Sequence, residues 1–293
     1  MVASGLSAVR LGALGGPETF AGQAAARFAS LGPLRYFPST RDEWAALADG
    51  SIDAFVMLAE SSRTGFAELA IRAASPSFGF YVAGEAQVPY GCLLLAAPGT
   101  ALSDVRVVLG HGSVAQCRPW LAQHLPDAGV VVEDTSSLAA AKKVSSGDGT
   151  LALVGTAATA ASFGLEVLAR DVDGGVVGNY WLISREPRFS PRPTVVLVSG
   201  RYCSGEGCAT DATFGERLAA SCASPLGTAI GSLAASGYAL RSVLAVPTGE
   251  RLFQYDHLLA FTGHGELPNV TRLGLRLVGA FSDIIAGRDG NSS

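Results

Sequence analysis

Five times before Gly178 the sequence repeats one pattern: a short apolar run ends in small or hydroxyl residues, and a helical pattern begins. The runs are "AVRLGALGGPETFAGQAAARFASL", "DAFVMLAESSRTGFAELAIRA", "VRVVLGHGSVAQCRPWLAQHL", "VVVEDTSSLAAAKKV" and "LALVGTAATAASFGL". Strands alternating with helices predict an α/β fold with largely parallel pairing. Each junction brings backbone N–H groups and hydroxyls to a helix start, where unpaired donors and the helix dipole favour anions. Ser, Thr and Gly at such places are also ordinary helix caps. Five of them together predict a ligand cleft at the strand C-termini. The glycines of "GALGGPE" lack the spacing of a dinucleotide fingerprint.

At 293 residues, with 48% apolar and 16% charged side chains, the chain can build a large core and is not a disordered polymer. A net charge of −4 argues against a nucleic-acid binder, which needs a basic face. Five scattered cysteines, Cys92, Cys117, Cys203, Cys208 and Cys222, show no paired zinc spacing and read as free thiols. The start "MVASGLSAVRLG" lacks the basic and apolar regions of a signal peptide, and no apolar run has membrane-span length. A soluble cytoplasmic protein is expected, with no metal site.

"VPYGCLLLAAPG" reads as a strand crossing from one lobe to another, and "GNYWLISREP" as the strand crossing back, which makes a hinge. "REPRFSPRPT" reads as a linker. From Thr194 onward the order is strand, helix, two strands around "PTGE", and then "PNVTRLGLRLVGAFSDIIAG" opening as a helix. That is a small ferredoxin-like module, read as regulatory or oligomer-forming.

Several motifs in order carry a resemblance to the prephenate dehydratase family. "GALGGPETFAGQAA" is similar to its opening G-x-L-G-P-E-G-T-F-S-x-x-A, and "LAESSRTG" to its I-E-N-S-x-x-G. "LGHGSVAQCRPWL" resembles S-H-P-x-A-L-x-Q-C-x-x-W-L, the most specific piece. The resemblance implies a bilobal catalytic domain of the type II periplasmic-binding-protein kind with an interlobe cleft, followed by a ferredoxin-like ACT domain. The expected boundaries are 8–187 for the catalytic domain and 194–287 for the ACT-like domain. Within the first, lobe one covers about 8–90, lobe two about 96–176 and the return strand 178–185.

The departures bear on chemistry. Where the family's return strand opens with Thr-Arg-Phe, this chain has Gly178-Asn179-Tyr180. Gly16-Pro17 stands for Pro-Glu, Ala21 for Ser, and Gly110 and Gly112 flank His111 in place of Ser and Pro. In the second module "SVLAVP", Ser242 to Pro247, replaces the effector motif E-S-R-P, and "PLGTAI", Pro225 to Ile230, only echoes the family's G-A-L loop. A dehydratase must protonate departing hydroxide, and the resemblance assigns that role to the Thr. Gly178 has no group to donate, and a lost general acid costs about 10²- to 10⁴-fold. Decarboxylation without aromatisation keeps the hydroxyl and needs no acid beside it. The resemblance is therefore greatest to the non-aromatising prephenate decarboxylases of antibiotic and other secondary pathways.

The expected catalytic residues are Asn179, Glu60 and His111. The expected substrate contacts are Thr19, Ser61, Ser62, Arg63, Ser113, Gln116, Ser136, Thr156, Gly178 and Tyr180. Thr19, Ser136 and Thr156 are equally readable as helix caps, His111 and Glu60 as structural residues, and Tyr180 as packing. No cofactor is required. The expected partner is prephenate, with an amino-acid effector doubtful and a homodimer or homotetramer expected. The alternatives are a dehydratase making phenylpyruvate for phenylalanine synthesis, a catalytically inactive small-molecule sensor, and a lyase acting on an amino-substituted prephenate.

Overall fold

The computed structural model describes residues 8–132, 137–203, 225–250 and 254–282. The described chain divides into two compact units. The first takes residues up to Gly65 together with Ala86–Leu182, and the second takes Phe66–Glu85 together with residues from Ile183 onward.

The first unit contains two sheets. In one, β1 (Leu11–Leu14) lies between β2 (Leu34–Phe37) and β3 (Ala54–Ser61), parallel to both. Its order is β2-β1-β3-β11-β5, where β5 is Tyr81–Pro89 and β11 is Val177–Ser184. Helix α1 (Phe20–Ala26) follows β1, and α2 (Thr40–Asp49) follows β2. The second sheet has the order β10-β6-β9-β7-β8, from β6 (Leu93–Ala96), β7 (Val107–Gly110), β8 (Gly129–Val132), β9 (Leu151–Gly155) and β10 (Glu166–Ala169). Here β7 is parallel to β8 and β9, while β6 is antiparallel to β9 and β10. In both sheets the strand order reverses at one strand, β1 and β7, which is where α/β sheets open a crevice at their C-terminal ends.

The expectation of five strand-to-helix junctions needs correction at two places. After β3 the chain turns back as a two-residue strand, β4 (Gly65–Phe66), before α3 (Glu68–Ala74), and α3 has no side-chain cap. The Ser61–Thr64 turn consumes the residues that would have started a helix. After β7 a 3-10 segment, Gly112–Cys117, precedes α4 (Arg118–His124). The outgoing crossover is likewise not one strand: β5 stops at Pro89, β6 starts at Leu93, and Gly91 between them has φ +53°.

The second unit carries an antiparallel sheet of order β13-β14-β12-β15, from β12 (Val195–Cys203), β13 (Tyr238–Pro247), β14 (Gln254–Gly263) and β15 (Arg276–Phe281). Helix α7 (Pro225–Ala235) joins β12 to β13. Renumbered within the unit, the order is 2-3-1-4, the ferredoxin-like arrangement. Val196 and Val198 pack with Ala229, Leu233 and Phe261. The intervening Val195 and Leu197 are just as buried, and α3 packs against β12, β13 and β14. A strand covered on both faces reads as the unbroken "TVVLV" rather than as alternation. The helix expected at "PNVTRLGLRLVGAF" is a single 3-10 turn, Val270–Leu273, followed by β15. Asn269 caps that turn and Gly274, at φ +73°, ends it. Gly279 of β15 pairs with Val82, and a Cβ there would stand 2.7 Å from the Val82 oxygen.

The carboxyl of Glu43 on α2 is 1% exposed, and its Oε1 has no hydrogen-bond partner among the described residues. Burial pushes its pKa up from 4.5 to about 9. The unfolded chain loses this proton above about pH 4.5 and the folded chain holds it until about pH 9, so stability falls as pH rises through that window. Urea unfolding of the wild type from pH 5 to pH 9 is expected to lose stability at up to about 1.4 kcal/mol per pH unit from this group. Glu43→Leu is expected to flatten that slope.

Candidate functional site

The polar residues expected in the cleft gather at the ends of β1, β3, β7 and β9, but much of their bonding capacity is already used. Thr19 caps α1. Its Oγ1 accepts from Gly22 N at 3.0 Å and donates to the Gly16 carbonyl at 2.8 Å. Thr156 caps α6 (Ala157–Phe163), accepting from Thr159 N at 3.1 Å. Its hydroxyl then donates to the Glu18 carbonyl at 2.6 Å, tying the start of α6 to the loop after β1. Both threonines are buried. Their cap roles are the ones that the geometry displays.

Ser61, at the end of β3, is buried with Gln116. Ser61 Oγ lies 2.8 Å from Thr64 Oγ1 and donates to Gln116 Oε1 at 3.1 Å, while Gln116 Nε2 donates to Thr64 Oγ1 at 3.0 Å. This three-residue ring joins the two lobes. Ser62 exchanges bonds with Val177: its N–H donates to the Val177 carbonyl at 2.9 Å, and its Oγ accepts from Val177 N at 3.0 Å. The exposed Arg63 gives one guanidinium N–H to the Asp173 carbonyl at 2.6 Å. The bond fixes the arginine at the hinge and leaves its remaining N–H groups to other acceptors.

Glu60, His111, Ser113 and Asn179 are all half-buried. The Glu60 carboxylate makes no hydrogen bond or ion pair among the described residues. His111 occupies the cap position of the 3-10 segment without a side-chain cap bond. Gly110 before it is required sterically, because a Cβ there would stand 2.8 Å from Val114 Cβ. Ser136 lies outside the described residues. Asn179 projects from β11 on the face opposite Gly178 and Tyr180, as alternation requires.

Two further residues were invisible as site members in the sequence. Asp173, 1% exposed, accepts from Cys92 N through Oδ1 and from Val176 N through Oδ2. One carboxyl group therefore grips both the outgoing and the returning crossover. Tyr90, between β5 and β6, stacks its ring 4.6 Å from that of Phe20, the first residue of α1, and its hydroxyl accepts from Tyr180 at 3.3 Å. A Cβ on Gly178 would lie 2.7 Å from Tyr90 Cε1 and 2.9 Å from Tyr180 Cε2. Position 178 is therefore filled by neighbouring rings. Tyr180, expected as a ligand contact, is buried, and its hydroxyl is engaged with that of Tyr90. Burial raises the Tyr180 pKa well above the usual tyrosine value and pushes Tyr90 up to about 12, although the bond from Tyr180 opposes the latter. Both phenols stay protonated across the physiological range. Cys92 and Cys117 are free, fully buried thiols, and contact with Cys117 together with burial raises the Cys92 pKa. Only the unusual "YG" at the crossover and the Gly at 178 could have hinted at the tyrosine arrangement.

Among the described residues no group of three or more His, Cys, Asp or Glu side chains could hold a metal ion. No described helix is long and apolar enough to cross a membrane. Two switch-point lobes, two crossovers and a ring of polar side chains between them define a bilobal α/β protein. Residues 11–188 match the family model described as prephenate dehydratase. A prephenate dehydratase of Mycolicibacterium vanbaalenii is 31% identical over 235 residues, covering 79% of this chain and 70% of that protein. The structure of prephenate dehydratase from Arthrobacter aurescens in complex with L-Phe superposes with a TM-score of 0.70 at 23% identity, covering 94% of this chain and 90% of that one. A structure described as a novel type of quorum quenching acylase gives 0.67 at 21% identity, covering 94% and 98%. The chain belongs to the prephenate dehydratase family, whose members are lyases acting on prephenate.

Gly178→Ala is expected to lower unfolding stability by about 1–3 kcal/mol through overpacking against the two tyrosine rings. Chemical denaturation of the variant beside the wild type measures it. Gly112→Ala, where a Cβ meets nothing within 4 Å, is the control.

Proposed function

We propose that this protein is a prephenate decarboxylase that removes the ring carboxylate as CO2 and retains the ring hydroxyl, giving dihydro-4-hydroxyphenylpyruvate for a secondary, antibiotic-type pathway. The observation that carries the reading is at position 178. The residue aligned with the family's hydroxyl-bearing Thr is Gly178, and adjacent rings occupy the space of any side chain there. When the carbon–carbon bond to CO2 breaks, its electron pair passes into the ring diene and a ring carbon takes a proton. Hydroxide never has to leave, so no acid beside it is needed. Orientation and partial desolvation of the leaving carboxylate supply the assistance. Asn179, Glu60, His111 and Ser113 are the proposed ligand contacts from the two lobes, with Arg63 beside the hinge holding a carboxylate.

The proposed catalytic region is 8–187. Residues 194–287 are proposed as an ACT-like module, with Ser242–Pro247 on β13 and Pro225–Ile230 opening α7 where effector motifs would stand. The A. aurescens protein is described with bound L-Phe. The altered motif here supports a module that does not report phenylalanine, in a homodimer or homotetramer.

A second reading is an ordinary prephenate dehydratase, favoured by the names of the family and of the curated relative. Fresh prephenate incubated with the purified protein at neutral pH, without acid work-up, separates the two by ultraviolet absorbance and mass. The expected product has lost CO2 and kept the hydroxyl oxygen. Phenylpyruvate, which lacks that oxygen, would replace the decarboxylase reading by the dehydratase one. Intact prephenate would point to the sensor or to a different substrate.

A further inference from the structure

The Tyr180 hydroxyl donates to the Tyr90 hydroxyl at 3.3 Å, which commits the Tyr180 hydrogen and leaves the Tyr90 hydrogen to point elsewhere. Among the described residues nothing accepts it. A buried phenol with an uncommitted hydrogen is costly unless a partner arrives. We propose that Tyr90 is a substrate-contacting residue, whose hydroxyl donates a hydrogen bond to an oxygen of the bound ring acid from the volume that a side chain at position 178 would otherwise take. The inference rests on the reading that the interlobe cleft binds prephenate, and it is independent of which bond the protein breaks.

Three observations converge on this residue. First, the space above Gly178 belongs to Tyr90: its Cε1 and Cζ stand 2.7 and 3.0 Å from where a Cβ would be. Second, the ring is placed at the cleft's switch point. It stacks on Phe20 beside the Thr19 cap, and the Tyr90 N–H donates to the Val176 carbonyl at 2.9 Å, just before the strand that Ser62 holds. Third, Tyr90 is only 6% exposed, so that neither ring face lies open. That suits one directed hydrogen bond rather than stacking. Tyr180 behind it fixes the oxygen's position and polarises the O–H, as hydroxyl chains do. Because the phenol stays neutral, it contributes a donor and no charge, and it fits a carboxylate or hydroxyl oxygen of a ring-bearing dianion.

The test compares Tyr90→Phe, Tyr180→Phe and the double variant with the wild type, by steady-state turnover of prephenate and product mass. Tyr90→Phe keeps the ring above Gly178 and removes only the hydroxyl. The expected result is a fall in kcat/KM of about 10- to 100-fold, the usual range for losing a hydrogen bond to a charged group. Tyr180→Phe should fall less, because the Tyr90 donor survives. The double variant leaves no orphaned hydroxyl, so it should match Tyr90→Phe in rate while unfolding near the wild-type temperature. Tyr90→Phe within twofold of wild type would reduce Tyr90 to packing and overturn the inference. If the wild type makes phenylpyruvate and Tyr90→Phe still loses rate, the decarboxylase reading fails and Tyr90 stands. If the wild type keeps the hydroxyl and Tyr90→Phe is unaffected, the reverse holds. Should the wild type leave prephenate unchanged, calorimetric titration with prephenate decides: weaker binding by Tyr90→Phe supports the contact, while equal binding or none by the wild type overturns it.

Discussion

The carboxyl group of Asp173 joins two stretches of chain that are far apart in sequence. The Cys92 N–H, 81 residues away, and the Val176 N–H both end on it. These are the first residues of the path into the second lobe and the last residues of the path back. Backbone donors buried at a crossover must be paired. The two segments pair in part with each other, Tyr90 N–H to the Val176 carbonyl and Val172 N–H to the Cys92 carbonyl, and the N–H groups of Cys92 and Val176 are left to a side chain. A carboxyl with two oxygens satisfies both at once. Its own carbonyl then receives Arg63 from the turn after β3. The polar ring of Ser61, Thr64 and Gln116 and the bond from Thr156 to the Glu18 carbonyl add further ties between the lobes.

Within that frame, the identity of residue 178 is decided by a neighbour rather than by its own strand. β11 approaches the Tyr90 crossover so closely that no Cβ fits between them. A protein interior is close-packed, so a side chain lost in one place is replaced by a ring from another. The replacement changes the available chemistry. A hydroxyl on a short side chain gives way to a phenol with a pKa near 12, backed by a second phenol.

The second unit obeys a different constraint. Its central strand β12 is buried on both faces, so "TVVLV" has no polar side at all. The burial of Glu85 is compensated by the fork of Arg241, which reaches its two oxygens at 2.6 and 2.8 Å. A bidentate pair of this kind aligns β13 with β5 as well as neutralising charge.

Much of the architecture is legible in the sequence because it depends on local rules. The strand–helix alternation, the caps at Thr19 and Thr156, the return strand beginning near Gly178 and the ferredoxin-like order after Thr194 follow from side-chain period, cap chemistry and turn residues. Local rules also mislead where a tertiary partner overrides them. The turn after β3 becomes a hairpin, and the segment after Asn269 becomes a strand once Gly274 stops its first turn and β12 offers an edge. The site divides in the same way. The residue types at the cleft could be named from the sequence, but their duties could not, because a hydroxyl at a helix start serves the cap or a ligand with equal chemistry. Tyr90, Asp173 and the ring of Ser61, Thr64 and Gln116 were settled only by the fold, since their partners lie on elements that no sequence period connects. The sequence alone determined that position 178 has no side chain. The tertiary structure decided why, by placing the ring of Tyr90 where that side chain would have been.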